Sequence, residues 1–472
     1  MPDRIINFPQ SFLKKPLKRD IAIVPVSPES LKAHKAALSE TENSALQDYG
    51  FTGERDQICP VWDQGRLICV FLGLGNAISI SSGAKINNFF QNHLSQETLE
   101  NSSFSIQNED LTLEYLSRLA LGWGLAGIKC ENNKHRKVLP RLVTPQDIDL
   151  RELIGLCEGI YITRSLINRP ANHLGPEELS NIASYLAEES GGKANVIQGK
   201  KLEKQNFPMI RAVGESSHRP PCLIDLRWSK KNAPKITLVG KGVVFDTGGL
   251  DLKPPSAMRL MKKDMGGAAQ VLGLAWALMR CDLNIDLRVI IPAAENAVSS
   301  QAFRPGDVIK TRKGLDVEIA DTDAEGRLVL ADALSYACED SPELLIDFAT
   351  LTGAARVALG TRIGALFGRQ KSLVSKLQDL SLELEDPLWN LPLYNGYKEE
   401  MNSQVADMEN IGRGKAGAIH GGLFLENFVD KHIKWAHLDV YAWEDNGRDG
   451  FDKGGMDQGL RTVFTYIKDN YS

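Results

Sequence analysis

The chain has 472 residues, a net charge of −5, 43% apolar residues and 24% charged residues. Because domains typically contain about 100–200 residues, this length predicts two or three domains with a large core. The composition is ordinary for a globular protein. The slightly acidic balance gives no electrostatic reason to expect a nucleic acid or an anionic membrane as a partner.

No segment of the sequence has the features of an export signal or a membrane span. The N-terminal MPDRIINFPQ contains no apolar stretch of signal-peptide length. The longest apolar stretches, such as Leu272–Met279, are shorter than the roughly 18–20 residues that a span needs. The seven cysteines form no CxxC pair, which fits a reducing compartment better than a disulfide framework. The sequence therefore predicts a cytoplasmic protein.

The N-terminal part of the chain differs from the rest in its patterning. It contains short strand-like runs at Ile21–Val24 and Leu67–Leu72. Residues 148–168 then place apolar side chains at helical spacing, and the pattern stops at Arg169-Pro170, as a helix does before proline. We interpret these regions as an N-terminal domain at 1–145, a connecting helix at 146–170 and a catalytic domain at 171–472.

The second half alternates strand-like and helical patterns, which is typical of an α/β fold with a buried and at least partly parallel sheet. The strand-like runs are Ile236–Val239, Arg288–Ile291, Leu344–Phe348 and Trp435–Val440. The helical patterns are Gly267–Met279, Gly326–Cys338 and Gly421–Phe428. The predicted fold is thus α/β, with a small N-terminal α/β domain and a larger catalytic α/β domain whose mixed central sheet is flanked by helices.

Two segments concentrate charge among glycines and apolar residues. The first is VGKGVVFDTGG at 239–249, and the second is DTDAEGRL at 321–328. Each lies where a strand gives way to a loop or to a helix start, which is where sites form in open α/β sheets. The candidate carboxylates in and near these segments are Asp246, Asp264, Asp323 and Glu325.

Burying these carboxylates together without a counter-ion would be costly, because like charges force protonation. Divalent cations remove that cost. The oxygen-rich set, with no HExxH motif, suits Mn²⁺, Mg²⁺ or Zn²⁺ better than a thiolate zinc site. Four carboxylates exceed the needs of one catalytic ion, so two ions that share bridging carboxylates are predicted.

A simpler interpretation assigns these charges to surface loops. Thr322 or Asp323 would then only cap the helix that begins near Gly326. For a single motif this interpretation is as good as the metal site. The two motifs together favour the metal site.

The same segments carry a resemblance to the leucine aminopeptidase (cytosol aminopeptidase) family. DTDAEGRL resembles the family signature NTDAEGRL, and the chain is also similar to the family in the stretches VGKGVVFDTGG, MKKDMGGAA at 261–269, ATLTGA at 349–354 and NRPANHLGPEEL at 168–179. The resemblance spans roughly 168–442. Before residue 145 the chain is similar to the family only in the size and position of this N-terminal segment.

The resemblance implies a role for each matching residue. Asp246 and Glu325 would bridge the two ions, Asp323 would bind the first ion, and Lys241 and Asp264 would complete the second. Lys253 and Arg327 would be catalytic, with a bicarbonate at Arg327. The expected substrate contacts are the backbone of Thr350, Leu351 and Gly353, and Met261 in the first side-chain pocket. Met261 is equally well explained as a core methionine.

The implied chemistry is hydrolysis of the N-terminal peptide bond of short peptides by a water that two metal ions activate, a mechanism known for aminopeptidases. The free amine of the substrate would bind one ion. Lysine binds a metal only when it is deprotonated, and a neighbouring dication lowers its pKa. The resemblance also implies a homohexamer.

Several positions depart from the family pattern and leave the substrate preference open. Asp321 replaces the usual asparagine, Arg356 and His420 stand where small or apolar residues are expected, and HLDVYAWED at 437–445 is unusual. Assuming an extended segment, the Asp321 side chain would face the metals with Asp323. It would then either stay ionised or become protonated through like-charge repulsion. His420 is more often structural than a ligand.

The sequence is also compatible with two other classes of function. One is a regulatory or binding protein on the aminopeptidase fold, although the acidic balance argues against nucleic acid. The other is a different two-metal hydrolase, such as a phosphatase. The ATLTGA loop and the lysine among the predicted ligands favour the peptidase.

Overall fold

The computed structural model describes residues 8, 10–75, 79–107, 111–126, 138–448 and 450–472. Its chain divides into two compact units. One lies within the bounds Asn7–Cys157 and Asp445–Lys453, and the other includes Glu158–Glu444 and Gly454–Ser472. The division falls inside a long helix, and the domain boundaries at 145 and 170 remain predictions.

The first unit is built on a mixed sheet with the strand order β1-β6-β5-β2-β4-β3, in which only the β3–β4 pairing is antiparallel among the described strands. Its strands are β1 Phe12–Leu13, β2 Arg19–Val26, β3 Ile58–Asp63, β4 Arg66–Gly73, β5 Ser102–Ile106 and β6 Leu142–Val143. Its helices are α1 Pro28–His34, α2 Glu40–Asp48, α3 Ile80–His93, α4 Gln96–Asn101 and α5 Leu113–Ala126, with a 3₁₀ turn at Lys35–Ala37.

Helix α6, Leu150–Asn168, confirms the helical pattern read between 148 and 168. The Asp149 carboxylate accepts hydrogen bonds from the backbone N–H groups of Arg151 and Glu152, which satisfies donors that a helix start leaves unpaired. The helix ends directly before Arg169-Pro170. Proline has no N–H and disfavours helical backbone in the preceding residue.

The second unit is organised around a larger sheet with the order β16-β15-β18-β14-β9-β11-β8-β7, and β10 also pairs with β11. The strands are β7 Lys193–Gln198, β8 Cys222–Trp228, β9 Lys235–Gly240, β10 Gly242–Asp246, β11 Asp286–Asn296, β14 Leu344–Ala349, β15 Gly364–Gly368, β16 Leu388–Asn390 and β18 Lys434–Asp439. Smaller pairings join β12 Val308–Lys310, β13 Asp316–Glu318 and β17 Met408–Glu409, and separately β19 Trp443–Glu444 and β20 Gly454–Gly455.

The central strands β10, β11, β9, β14 and β18 are parallel, whereas β7, β8 and β15 pair antiparallel towards the edges. The predicted mixed α/β fold is therefore confirmed. The helices are α7 Pro176–Glu189, α8 Lys200–Lys204, α9 Pro208–Gly214, α10 Pro255–Met258, α11 Gly266–Arg280, α12 Glu325–Cys338, α13 Gly353–Leu359, α14 Lys371–Glu383, α15 Gly417–Glu426 and α16 Leu460–Tyr471, with 3₁₀ turns at Ala171–His173, Met261–Met265 and Asn395–Met401.

Helices α11 and α12 are buried over nearly their whole length because both lie against the central sheet. Burying one large apolar side chain contributes about 1.5–3 kcal/mol, so two such helices fix the loops at their N-termini firmly. Within the described residues, no helix has the length and apolar character needed to cross a membrane.

Candidate metal centre and active site

The predicted site residues come together at one edge of the large sheet. Strand β9 ends just before Lys241, β10 ends at Asp246, and β14 ends just before Thr350. Because the central strands are parallel, their carboxyl ends share this edge, where sites of α/β sheets form. The buried start of α12 adds Glu325, and the 3₁₀ turn Met261–Met265 adds Asp264.

Three carboxylates form a compact cluster. Ligand oxygens of Asp246, Asp323 and Glu325 all lie within 4.8 Å of one another. Asp246 and Glu325 are 2% and 1% exposed, and Asp323 is half-buried. Such crowding of buried carboxylates is what a cation site requires.

Two lysines contact the carboxylates. Lys241 Nζ lies 2.8 Å from Asp264 Oδ2 and 2.9 Å from Glu325 Oε1, and it donates to the Thr350 carbonyl at 3.2 Å. Lys253 Nζ lies 2.8 Å from Asp246 Oδ2 and also contacts Asp323. The five predicted metal-binding side chains and the predicted catalytic lysine therefore occupy one contiguous charged cluster.

The raised pKa values of two carboxyl groups in this cluster show that ionising them is costly. Burial, followed by repulsion from Asp246, raises the pKa of Glu325 well above its usual value and that of Asp323 to about 6. For Lys241, burial opposes the charge, but attraction by Asp264 and Glu325 outweighs it and raises the pKa. At Glu325 and Asp323 the two lysines thus do not offset burial and the repulsion from Asp246.

The residues fit divalent metal ions. Among the described residues, neither Glu325 oxygen accepts a hydrogen bond of good geometry, although Lys241 approaches Oε1. A fully buried carboxylate oxygen without a hydrogen bond is expensive, and a cation is the partner that compensates it. Carboxylate oxygens with one amine match hard or borderline ions such as Mg²⁺, Mn²⁺ and Zn²⁺.

Positioning residues around the cluster include an asparagine that the sequence did not indicate. Asn296, the last residue of β11, donates from Nδ2 to Asp246 Oδ1 at 2.9 Å and to the Thr322 carbonyl at 3.1 Å. The N–H of Gly248 donates to the same Asp246 oxygen at 2.8 Å, in a turn where Gly248 has φ +87°. These bonds fix the carboxylate orientation, as partners of metal ligands commonly do.

The segment around Asp321 is a turn rather than the extended chain assumed from the sequence. The Asp321 carboxylate accepts a hydrogen bond from the Asp323 N–H at 2.8 Å. The extended conformation assumed for this segment is therefore wrong, because the aspartate two residues before Asp323 closes an Asx-type turn. Asn410 holds the other side, accepting from the Asp321 N–H and donating to its carbonyl.

Arg327 is buried in the first turn of α12 and is not among the residues that line the cavity described below. Its Nη1 donates to the Asn410 carbonyl at 2.6 Å, and its guanidinium lies 5.9 Å from the Phe424 ring centroid. Burial lowers its pKa to about 10, so the group stays charged at neutral pH. Its Nε has no hydrogen-bond partner within the described residues.

A cavity of about 260 Å³ opens onto the charged cluster. Its wall includes every predicted substrate-binding residue, namely Met261, Thr350, Leu351 and Gly353. Lys241, Asp246, Lys253, Asp264 and Asp323 also line it. The predicted chemical and binding residues therefore share one cavity, apart from Glu325 and Arg327, which are not among its lining residues.

Further lining residues were not predicted to contact substrate. Lys263, Arg356, Asp439 and Tyr441 belong to this group. Burial lowers the pKa of Lys263 to about 8. The Asp439 carboxylate accepts from the Leu351 N–H at 2.9 Å and so shapes the wall. The unusual stretch 437–445 and the unexpected Arg356 were the sequence signals that pointed to these residues.

His420 does not line the cavity. Its buried ring lies with Nε2 2.9 Å from Glu400 Oε2, and it contacts Tyr397 edge-on at 5.7 Å between ring centroids. These contacts place it with the structural side chains of α15.

Comparison with known proteins agrees with the geometry of the site. A model of the catalytic domain of the cytosol aminopeptidase family matches residues 161–464. The chain belongs to this family. The match spans the whole charged cluster of this family member, and the resemblance seen in its motifs is confirmed.

Several relatives and solved structures match this family member over nearly its full length. A probable cytosol aminopeptidase of Chlamydia muridarum is 34% identical, with 98% of this chain and 99% of the relative covered. The crystal structure of the Coxiella burnetii cytosol aminopeptidase superposes with a TM-score of 0.90 at 41% identity, covering 98% of this chain and all of that one. The bottromycin maturation enzyme in complex with Mn is 29% identical, with a TM-score of 0.85 and 95% and 99% coverage.

Proposed function

We propose that this protein is an aminopeptidase that removes N-terminal residues from short peptides, using a water activated by two bound divalent ions. One observation carries the proposal: the buried carboxylate cluster, with Lys241 and Lys253 beside it, opens onto a cavity lined by the predicted substrate residues. Membership of the cytosol aminopeptidase family supports it.

The ions would be held by Asp246, Glu325, Asp323, Asp264 and Lys241. When bound, such ions polarise the scissile carbonyl and lower the pKa of water. Zn²⁺ and Mn²⁺ are the proposed ions, and the Mn complex of the bottromycin maturation enzyme supports the second choice. Lys241 would release its proton when it becomes a ligand, so metal affinity should rise with pH.

Lys253 has the position and charge of an oxyanion donor. Burial disfavours its charge, but Asp246 and Asp323 more than compensate and raise its pKa, so the ammonium persists at neutral pH. Its side chain lines the cavity. A fixed cation aimed at the developing negative charge stabilises the transition state more than the ground state.

Arg327 is proposed to hold a bicarbonate that helps to move the proton of the water. The planar guanidinium offers several donors, and its buried Nε lacks a partner among the described residues. The Asn410 carbonyl occupies only Nη1 and thereby fixes the direction of the remaining donors.

The substrate backbone would lie along Thr350, Leu351 and Gly353. Thr350 Oγ1 donates to Asp264 Oδ1 at 2.7 Å, and the Leu351 N–H is held by Asp439. These bonds connect the substrate-binding loop directly to the predicted ligand shell. Met261 would contact the first side chain.

Two further properties are proposed on the basis of family membership. The chain would assemble as a homohexamer and act in the cytoplasm, with peptides rather than nucleic acid as its partners. The names of the relatives support the location. A regulatory or binding role on this fold is the alternative.

The deciding experiment measures hydrolysis of a panel of aminoacyl-arylamides by metal-depleted protein resupplied with Zn²⁺, Mn²⁺ or Co²⁺. Activity should return with metal, and elemental analysis should give two ions per chain. Glu325→Gln should lose metal and activity. Asp307→Asn, at an exposed ion pair with Arg304, is the matched control and should lose neither. Full activity with one ion or none would overturn the two-metal mechanism.

A further inference from the structure

Two cations of the cavity wall form no ion pair with a carboxylate in the part of the chain that the structure describes. Lys263 is 5% exposed, and within the described residues its ammonium has no hydrogen bond and no carboxylate oxygen within 4.0 Å. Its Nζ lies 4.5 Å from the centroid of the Tyr441 ring. A buried lysine is normally paired, because leaving an ammonium without a counter-charge is costly.

The second cation is Arg356, which lies on the exposed helix α13. Its Cζ lies 5.0 Å from the same Tyr441 ring centroid. A methyl group built on Gly353 would be 3.4 Å from Arg356 Nη2, so the guanidinium folds back over the substrate-binding loop. No carboxylate within the described ranges pairs with it. We call Lys263, Arg356 and Tyr441 the cationic wall.

The carboxylates near this wall are already engaged. Asp439 accepts hydrogen bonds from Leu351, from the Thr352 N–H and, at 2.6 Å, from the Thr352 hydroxyl. Asp264 is held by Lys241 and by the Thr350 hydroxyl. The positive charge of the wall therefore remains available to a ligand, and an incoming carboxylate would gain charge-assisted hydrogen bonds there.

We propose that the cationic wall binds the side-chain carboxylate of an N-terminal glutamate or aspartate, so that acidic first residues are preferred substrates. The inference rests on the proposed aminopeptidase function. Lys263 is the immediate chain neighbour of the predicted ligand Asp264, and both residues line the same cavity. A cavity of about 260 Å³ has room for an amino-acid side chain beside the charged cluster.

The experiment compares kcat/KM for Glu-arylamide, Gln-arylamide and Leu-arylamide on the metal-loaded protein. Glutamate and glutamine have the same shape, so their ratio isolates the charge. A hydrogen bond to a charged group corresponds to a preference of about tenfold or more. We expect the Glu/Gln ratio to exceed about ten, and a ratio near one would overturn the proposal.

Variants locate the preference. Arg356→Gln lies on an exposed helix and should fold normally; it should reduce the Glu/Gln ratio about threefold, as expected for an exposed charge pair. Lys263→Met should reduce the ratio about tenfold. Arg362→Gln removes an exposed arginine that does not line the cavity, and it should leave the ratio unchanged. An unchanged ratio in both wall variants would overturn the proposal even if wild-type protein prefers glutamate.

A peptide also carries a carboxylate at its C-terminus, which is the other source of the same chemistry. Leu-Gly and its C-terminal amide separate the two, since arylamides lack that group. Strong loss of activity on amidation, with no Glu/Gln preference, would assign the wall to the C-terminus and overturn the proposal. Failure to hydrolyse any arylamide or peptide would refute the aminopeptidase function itself. Hydrolysis of the Glu-, Gln- and Leu-arylamides with no preference for Glu would refute only the acidic specificity.

Discussion

Gly326, next to the predicted bridging ligand, leaves room for Lys241. A methyl group at position 326 would lie 2.5 Å from Lys241 Cε and 2.6 Å from Nζ. Carbon atoms normally approach to about 3.5 Å, so Gly326→Ala should displace the end of the lysine by about 1 Å. The lysine has little freedom to yield, because Asp264, Glu325 and the Thr350 carbonyl hold its ammonium within 3.2 Å.

The expected effect on function is larger than the effect on stability. A misplacement of about 1 Å at a catalytic centre costs about 10²-fold in rate, which corresponds to about 2.7 kcal/mol. Overpacking costs about 1–3 kcal/mol of folding free energy, and alanine recovers about 1 kcal/mol over glycine within a helix. Gly326→Ala should therefore stay folded, with a melting temperature lowered by a few degrees at most.

The assay is kcat/KM on a good arylamide substrate, together with metal content at a fixed free metal concentration. Gly417→Ala provides the control, because its methyl group would meet only Ala354 Cβ, at 3.3 Å. We expect Gly326→Ala to lose activity and metal affinity while Gly417→Ala keeps both. If Gly326→Ala retains full activity and two ions, the close approach of Lys241 has no functional importance and the reasoning fails.

Four further outcomes are expected. Lys253→Ala should lower kcat about 10²–10³-fold with both metals retained, and Arg327→Ala should lower kcat more than it raises KM; loss of metal from the Lys253 variant would make it a ligand instead. Asp321→Asn should remain active because an amide oxygen still accepts the Asp323 N–H, whereas Asp321→Ala should weaken metal binding about tenfold; equal metal titrations for the two variants would contradict this. Sedimentation at micromolar concentration should show a hexamer, and a monomer would refute that assembly.

The elements that position the site could be predicted because their patterns are local. The apolar runs identified β9, β14 and β18 to within one or two residues, and helical spacing identified α6, α11 and α12. Glycines beside buried charges identified both halves of the carboxylate cluster. Local periodicity carries this information because strand and helix periods differ.

The remaining features depend on contacts between residues that are distant in sequence. Asn296 and Asn410 hold Asp246, Arg327 and the Asp321 turn from other elements, and nothing in their own surroundings distinguishes them from ordinary asparagines. Strand order and the antiparallel edges of the sheet are likewise properties of long-range pairing. The extended conformation assumed around Asp321 was wrong because the short polar side chain of this residue closes a turn instead of continuing a strand.

The exposed position of helix α13 has a consequence for how this protein can change over evolutionary time. Glu325 begins a helix that is itself part of the core, so a substitution there disturbs folding and chemistry together. Arg356 lies on a short surface helix, where substitutions away from special features usually change stability by less than about 0.5 kcal/mol. On the proposed role of Arg356, the substrate preference can therefore change through substitutions at the rim of the cavity while the residues of the charged cluster stay constant. Engineering of selectivity would begin at position 356.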